Sequence, residues 1–138
     1  MSNPKFSIVI PIYNAESTIA RTIASLKEFD FTDYEVLLIN DGSTDQTEAI
    51  ITRLIENDPK FRLITTANQG PGLARNEGIM QAQGTYILFF DADDTPKKEV
   101  LSDYDKLLAK HPDTDLIVSS FIFRTMDGEQ IISEKENL

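Results

Sequence analysis

Short apolar runs alternate with segments of helical hydrophobic spacing along this chain. Five runs rich in β-branched and aromatic residues predict buried strands, namely FSIVIPI (6–12), YEVLLIN (34–40), FRLITT (61–66), TYILFF (85–90) and DLIVSSFIF (115–123). Between them, apolar residues recur three and four positions apart, as Ile19, Ile23 and Leu26 do, which is typical of amphipathic helices. The alternation predicts an α/β fold with a doubly wound, mostly parallel sheet, whose ligands bind beyond the carboxyl ends of the strands.

Local signals predict where two of the helices begin. Ser43 and Gln46 have the spacing of a capping box, so the second helix is expected to start after Ser43. Thr95 precedes Pro96, a pairing that suits a cap residue followed by the first helical position. The fourth helix is therefore expected to begin near Pro96.

No internal repeat and no Gly/Ser/Pro-rich linker divides the chain, so a single domain is expected over residues 1–138. Near its end, FIFRTMDGEQII (121–132) predicts a hairpin with a two-residue turn at Asp127-Gly128.

Composition narrows the classes of function. The chain has 138 residues, 41% of them hydrophobic, and a formal net charge of −10. This charge argues against nucleic acid as a partner, because phosphate backbones are bound by concentrated Lys and Arg. Cysteine is absent, which excludes disulfides and thiolate metal sites, and no apolar run approaches the roughly 20 residues of a membrane helix. We expect a cytoplasmic protein without a membrane segment in this chain; peripheral membrane attachment of a full-length protein stays open.

Polar residues follow the first two predicted strands, in PIYNAE (11–16) and NDGSTD (40–45). Asn14 is interpretable as a cap of the next helix and Tyr13 as a half-buried aromatic residue. Asp41 is harder to explain in that way, because it stands just before the predicted cap. Its carboxylate is expected to accept hydrogen bonds from the N–H groups or hydroxyls of a ligand.

The third predicted strand leads into NQGPGLARNEG (68–78), where Gly70 and Gly72 form a pliant loop at the start of a helix. Helix N-termini attract anions. Arg75, in the first turns of that helix, could pair with a phosphate group. The alternative is a solvated arginine on an exposed helix face.

Three aspartates follow the fourth predicted strand, in YILFFDADDTP (86–96). Carboxylates at 91 and 93 would lie about 7 Å apart in extended chain, where their repulsion is roughly 2 kcal/mol at an effective dielectric near 20. A divalent cation would convert this repulsion into attraction, and oxygen ligands favour Mg²⁺ or Mn²⁺ over zinc. The alternative is that one aspartate caps the helix near Pro96 while the others are solvated.

Four segments, in this order and at these spacings, resemble the nucleotide-sugar-binding half of a family 2 glycosyltransferase: FSIVIPIYNAESTIARTIASL, YEVLLINDGSTDQT, NQGPGLARNEGI and GTYILFFDADD. The resemblance covers residues 6 to about 95. It implies a Rossmann-like GT-A fold and inverting transfer of a sugar from a nucleotide-activated donor, most often a UDP-sugar. The partner of that reaction would be a saccharide or another acceptor with a free hydroxyl.

The resemblance also implies roles for residues that match the family's nucleotide-binding motifs. Pro11, Tyr13 and Glu16 would border the base and the ribose. Asp41 would bond the uracil ring, and Arg75 would approach the diphosphate.

Asp91 and Asp93 match the two acids of the family's DXD motif. The resemblance implies that Asp91 lies near the ribose and that Asp93 binds Mn²⁺ or Mg²⁺. Asp94, directly beside them, could share the metal or take it over. The metal site is therefore assigned to Asp93 and Asp94, with Asp91 grouped with the nucleotide.

No catalytic residue is assigned within the chain. Family members carry a general base, an Asp or a Glu, well beyond the DXD motif, whereas Asp113, Asp115 and Asp127 flank predicted turns. The base is expected beyond residue 138. The chain is accordingly expected to be the donor-binding part of a longer enzyme and, by itself, to bind donor without transferring sugar.

Two other functions are compatible with the residues. FDADDT also satisfies the DxDxT pattern of haloacid-dehalogenase-like phosphatases, although that motif normally follows the first strand of its domain and here follows the fourth. A non-catalytic module that binds a nucleotide or a metal is the second alternative.

Overall fold

The computed structural model describes residues 2–119 and the strands at 122–124 and 130–132. The elements are β1 (Phe6–Ile12), α1 (Ile19–Lys27), β2 (Tyr34–Asp41), α2 (Thr47–Leu54), β3 (Phe61–Thr66), α3 (Pro71–Gln81), β4 (Tyr86–Phe89), α4 (Val100–Lys110), β5 (Ile122–Arg124) and β6 (Gln130–Ile132). The first four predicted strands are confirmed to within one residue at each end. The alternating α/β pattern is confirmed with them.

Strands β1 to β4 form a parallel sheet in the order β3-β2-β1-β4. The chain moves from β1 to β2 and then to β3 in one direction, and it returns past both to place β4 on the other side of β1. The strand order therefore reverses between β1 and β4. At such a switch point the loops beyond the strand ends diverge and leave room for a ligand.

Helices cover both faces of this sheet. Parallel crossovers are right-handed, so the reversal of direction places α1 and α2 on one face and α3 on the other. On the α3 face, Val9 and Leu37 pack in one buried cluster with Ala74 of the helix. The residues that point the other way, such as Ile8 and Leu38, are equally buried. The doubly wound sheet predicted from the sequence is thereby confirmed.

Burial differs between the central and outer strands. Nearly every residue of β1 and β2 is buried, whereas β4 alternates between half-buried and exposed positions. Ile87 and Phe89 are the exposed side chains of β4. The continuous apolar runs in the sequence therefore correspond to the two strands that have neighbours on both sides.

The contact between α3 and β1 depends on the absence of a side chain at Gly78. A Cβ atom at this position would lie 2.2 Å from Cγ1 of Val9. Ala74, one turn earlier, is also buried. Small residues on this face of α3 let the helix approach the sheet closely.

Both predicted helix starts are wrong. α2 begins at Thr47, because the Ser43 hydroxyl accepts the N–H of Asn14 instead of capping the helix. α4 begins at Val100, four residues beyond Pro96. Before it, the Lys98 carbonyl accepts a hydrogen bond from the backbone N–H of Asp30, so the chain here is bonded to another segment.

The predicted strand at 115–123 is wrong over residues 115–119, which lie outside any helix or strand. Leu116 and Val118 are exposed there, since an apolar run forms a strand only beside a partner strand. Further along, β5 and β6 pair antiparallel and confirm the predicted hairpin. Its expected turn at Asp127-Gly128 lies outside the described residues.

The chain divides after Asp103 into two compact units. The four-stranded sheet belongs to the first unit, and the β5–β6 hairpin belongs to the second. The longest helices described, α3 and α4, have 11 residues each, and none of the helices in this part of the chain is long and apolar enough to cross a membrane.

Substitution of Gly78 by alanine should lower the free energy of unfolding by about 1–3 kcal/mol, because the added methyl group overpacks the α3–β1 contact. Gly72→Ala is the matched control, since a Cβ there meets nothing within 4 Å. In the first turn of α3, where Gly72 lies, this change is expected to stabilise by up to about 1 kcal/mol. Urea denaturation of both variants measures the difference, and a Gly78→Ala variant as stable as Gly72→Ala would contradict the close packing.

Candidate functional site

The loops that follow β1 to β4 meet at the carboxyl edge of the sheet and enclose two adjoining clefts. The first, here called the Asp41 cleft, has a volume of about 280 Å³ and is lined by Pro11, Ile12, Tyr13, Asp41, Asn68 and residues of the Gly-rich loop. The second, the Asp93 cleft, has about 270 Å³ and lies between the loop after β1 and the Ala92-Asp93 segment. The Tyr13 side chain, half exposed, borders both clefts.

The Asp41 carboxylate is buried and accepts three hydrogen bonds from its own chain. Oδ1 accepts the Thr66 hydroxyl at 3.2 Å and the Gln69 N–H at 2.9 Å, while Oδ2 accepts the Gly70 N–H at 2.9 Å. These bonds connect the end of β2 to the end of β3 and to the Gly-rich loop. Asp41 therefore shapes the cleft that it lines.

Two glycines permit the loops after β2 and β3 to meet. Gly42 and Gly70 have φ values of +72° and +97°, a region that side chains disfavour. A Cβ atom at Gly42 would also lie 2.8 Å from the backbone nitrogen of Asn68. Gly42 is thus required both by its backbone conformation and by the close approach of the third loop.

Three consecutive backbone amides after β1 are held by side chains that follow β2. The N–H groups of Asn14, Ala15 and Glu16 donate to Ser43 Oγ, Thr47 Oγ1 and Asp45 Oδ2 at 3.0, 2.8 and 3.3 Å. In the opposite direction, the Gln46 and Thr44 N–H groups donate to the side chains of Glu16 and Asn14 at 3.0 and 2.8 Å. We call this set of contacts, between residues 14–16 and 43–47, the loop clamp.

The loop clamp shows what Asn14 and Glu16 bond in this structure. Asn14 does not cap α1, whose cap position is Thr18; its amide bonds Thr44, and its φ is +47°. The Glu16 carboxylate, expected beside a ribose, accepts the Gln46 N–H.

Asp45 is the acidic centre of the loop clamp. Desolvation raises the pKa of its carboxyl, but hydrogen bonds from the Thr47 hydroxyl, the Thr47 N–H and the Glu16 N–H exceed that effect and hold the pKa below its ordinary value. The carboxylate is therefore ionised at neutral pH and serves as an acceptor for both loops.

The three aspartates after β4 lie close together. One carboxylate oxygen from each of Asp91, Asp93 and Asp94 lies within 4.8 Å of the other two, the one such acidic group among the residues that the structure describes. Asp94 also closes a turn, because its Oδ2 accepts the Asp91 N–H at 2.7 Å while its own N–H donates to the Asp91 carbonyl at 3.1 Å. The alternative in which one aspartate caps a helix at Pro96 is wrong, since α4 begins at Val100.

Electrostatics at this cluster disfavour full ionisation. Burial of the Asp94 carboxyl, together with the negative charges of Asp91 and Asp93, outweighs the hydrogen bond from the Asp91 N–H and raises the pKa of Asp94 above its ordinary value. A nearby cation would favour the charged form.

Two threonines of the α1 region hold the loop of residues 91–94, here called the acidic loop, in place. The hydroxyls of Thr18 and Thr22 both donate to the Ala92 carbonyl at 3.0 Å. Thr22 is fully buried. This anchor fixes the backbone between Asp91 and Asp93 against the first helix.

Arg75 contacts the acidic loop as well. Its Nη2 lies 3.5 Å from Asp91 Oδ1, and both side chains are partly exposed. Such a pair contributes about 0–1 kcal/mol, so the guanidinium can exchange its partner for a ligand at small cost. Arg75 is therefore partly solvated and weakly paired with Asp91.

Most of the residues singled out in the sequence are brought together at this edge. Pro11, Tyr13 and Asp41 line the Asp41 cleft, and Asp93 lines the other. The sequence-based interpretation missed Asn68, Asp45, Thr47, Thr18 and Thr22 as parts of the site and its supports. Asn68 carried a signal, since it opens the Gly-rich segment; the pairings of the other four depend on the tertiary fold.

Comparison with known proteins assigns the family. A family model described as glycosyl transferase family 2 matches residues 7–136. The chain belongs to glycosyltransferase family 2. An uncharacterized glycosyltransferase of Haemophilus influenzae is 37% identical over 134 residues, which are 95% of this chain and 52% of that protein. Poly(ribitol-phosphate) beta-N-acetylglucosaminyltransferase TarS of Staphylococcus aureus is 37% identical over 117 residues, or 83% of this chain and 20% of TarS.

Solved structures of glycosyltransferases share the fold. TarS residues 1–349 in complex with UDP-GlcNAc match with a TM-score of 0.73 and 37% identity over 78% of this chain and 32% of that one. The mannosyltransferase PcManGT of Pyrobaculum calidifontis, in complex with GDP-Man and Mn²⁺, matches with a TM-score of 0.71 and 27% identity over 79% of this chain and 33% of that one. The GT-A fold is confirmed. This glycosyltransferase chain spans about half of the Haemophilus protein and a third of these solved chains.

Family membership bears on the alternative functions as well. It favours the glycosyltransferase interpretation of FDADDT over the phosphatase one, because the segment follows the last strand of a parallel GT-A sheet.

Replacement of Asp41 by asparagine should destabilise the chain by about 1–3 kcal/mol, because an amide group would face N–H donors that need an acceptor. Amide hydrogen exchange at Gln69 and Gly70 should accelerate more than exchange in β1. Asp33→Asn, an exposed aspartate before β2, is the control and should change neither quantity. Unaltered protection at Gln69 and Gly70 in Asp41→Asn would mean that the carboxylate does not order the Gly-rich loop.

Proposed function

We propose that this domain, within residues 6–94, binds a nucleotide-sugar of the UDP-sugar class together with a divalent cation. The protein as a whole would transfer the sugar, with inversion, to a hydroxyl of a saccharide or another acceptor. The observation that carries the proposal is the convergence of Asp41, Arg75 and three aspartates around two joined clefts. The UDP-GlcNAc complex of TarS supports the donor class.

The Asp41 cleft would hold the base. Its walls include Pro11 and Tyr13, which offer apolar surface to a ring. A carboxylate oxygen accepts about two hydrogen bonds. Asp41 Oδ1 already has two donors, but Oδ2 has one, from Gly70, so Oδ2 keeps capacity for a ring N–H of uracil. Because Tyr13 borders both clefts, a ribose bound beside it would connect the base to the acidic loop.

The acidic loop fits a hard divalent cation. Its donor set consists of carboxylate oxygens alone, three of them within 4.8 Å of one another, which suits Mn²⁺ or Mg²⁺. Asp93 is assigned to the cation, with Asp94 as a second ligand and Asp91 toward the ribose. When bound, the cation would neutralise diphosphate charge as it develops in the leaving group. The complex of PcManGT with Mn²⁺ supports this assignment.

Arg75 supplies the remaining positive charge. Its present partner, Asp91, belongs to the acidic loop, so a diphosphate held against that loop would lie within reach of the guanidinium. Arginine binds phosphate oxygens in a bidentate manner. Together, Arg75 and the cation would let an acidic domain bind an anionic donor.

Transfer needs a carboxylate base as well, and none is assigned among the described residues; the base stays a prediction for the chain beyond residue 138. Calorimetry with UDP and Mn²⁺ tests donor binding. Mass spectrometry of mixtures with UDP-sugars and sugar acceptors tests transfer. Glycoside formation above a chelated control would place a base within the chain, and binding without transfer is the expected result.

Donor binding should depend on the cation. Asp93→Ala is expected to weaken Mn²⁺-dependent UDP binding at least about tenfold, because one ligand oxygen is lost from the cation site. Asp33→Ala removes the same charge at the opposite end of β2 and should leave the affinity unchanged. Titration calorimetry measures both variants. Equal UDP affinity of the wild type with Mn²⁺ and in excess chelator would refute the cation site.

Arg75 should distinguish UDP from uridine. Arg75→Ala is expected to weaken UDP binding about tenfold or more while uridine binding changes less than about twofold, because the loss concerns a charge-assisted bond to phosphate. Arg53→Ala, an exposed arginine in the last turn of α2, is the control. Competition titrations with the two ligands measure the ratio. Similar losses for UDP and uridine would place Arg75 away from the diphosphate.

A further inference from the structure

Asp45 holds, directly or through Thr47, two of the three amides that the loop after β1 contributes to the loop clamp. Its Oδ2 accepts the Glu16 N–H, and its Oδ1 accepts both the N–H and the hydroxyl of Thr47. Because the Thr47 hydroxyl donates its proton to Asp45, its oxygen lone pair is left for the Ala15 N–H. One carboxylate therefore sets the acceptors for two neighbouring amides of the other loop.

The backbone that the clamp holds is not in a relaxed conformation. Asn14 has a φ of +47°, in the left-handed region, which asparagine enters more readily than most residues but still at some cost in free energy. Tyr13 directly precedes this residue, and its half-exposed ring stands between the two clefts. The backbone immediately after Tyr13 is thus held by contacts of the next three residues.

We propose that Asp45 is a positioning residue for nucleotide binding, which holds the Tyr13 ring between the Asp41 cleft and the Asp93 cleft by means of the loop clamp. Asp45 is absent from the lining of both clefts. The inference rests on the proposed function, in which Tyr13 borders the base and the ribose.

The main test is a double-mutant cycle with UDP and Mn²⁺. Asp45→Asn keeps the shape of the side chain but presents an NH₂ group to a backbone donor, so it should weaken UDP binding about fivefold. In a Tyr13→Ala background the same change should weaken binding less than about twofold, because the ring that Asp45 positions is gone.

Thr47→Val is a second route to the same effect. It preserves a fully buried, branched side chain and removes the acceptor of the Ala15 N–H. Its effect on UDP binding should likewise shrink in the Tyr13→Ala background. Loss of the same factor in both backgrounds, for Asp45→Asn and for Thr47→Val, would overturn the proposal.

Asp58→Asn is the matched control. Asp58 also accepts a backbone N–H in a turn, that of Lys60 at 3.2 Å, but this turn precedes β3 at the opposite edge of the sheet. The substitution removes the same charge, so it separates electrostatic effects on an anionic ligand from positioning. Asp58→Asn should leave UDP affinity unchanged. A fivefold loss of UDP affinity in this control would show that the Asp45 effect arises from charge or general stability, and it would overturn the proposal.

Measurements on the ligand-free chain separate this inference from the proposed function. Asp45→Asn should accelerate hydrogen exchange of the Ala15 and Glu16 amides and shift the Tyr13 ring signals in NMR spectra, whereas Asp58→Asn should do neither. Unchanged exchange and ring signals would overturn the inference whether or not UDP binds. Failure of the wild type to bind UDP, with these changes present, would instead refute the proposed function alone.

Discussion

The buried carboxylate of Asp41 is the interaction on which the candidate site depends most. A buried carboxylate is tolerated when donors surround it, and here Thr66, Gln69 and Gly70 supply them. Gly70 in the Gly-rich loop has no side chain of its own that could order that loop. By ordering that loop, Asp41 sets the start of α3 and thereby the place of Arg75. The carboxylate proposed to bind the base is thus also a structural support of the cleft.

In the acidic loop, by contrast, the carboxylates lie beside one another and not among several donors. Asp91, Asp93 and Asp94 repel one another, and nothing in their own charges would keep them together. The loop is held by its backbone instead, through the Ala92 carbonyl and through the turn that Asp94 closes. The backbone therefore keeps the three carboxylates close together despite their repulsion. A cation bound among them would relieve that repulsion, which favours its binding.

The parts of the structure that the sequence predicted are those governed by local pattern. The buried runs of β1 and β2 predicted the central strands, and the polar residues that follow them predicted which edge carries the site. Patterns of this kind also explain the errors. Ser43 has the sequence of a cap, but its hydroxyl is taken by Asn14 from another loop. Residues 115–119 have the composition of a strand but no strand beside them.

The supports of the site could not be predicted in this way. In the sequence, Thr18 is an ordinary cap residue and Thr22 an ordinary helix residue; their bonds to the Ala92 carbonyl depend on the tertiary fold. In the sequence, Asp45 is an ordinary turn residue; its bond from the Glu16 N–H depends on the tertiary fold. A hydrogen bond from a side chain to a distant backbone group leaves no periodic pattern in the sequence. Such bonds can therefore be identified only from the three-dimensional structure.

The position of β4 has a consequence for handling the protein in solution. It pairs with β1 on one side, and no strand in the described part of the chain pairs with its other side, while Ile87 and Phe89 are exposed. Open edges with apolar side chains promote strand-to-strand association between molecules. The net charge of −10 opposes this association at neutral pH. Acidification protonates the carboxylates and removes that repulsion, so colloidal stability of the chain should be lost before its fold is.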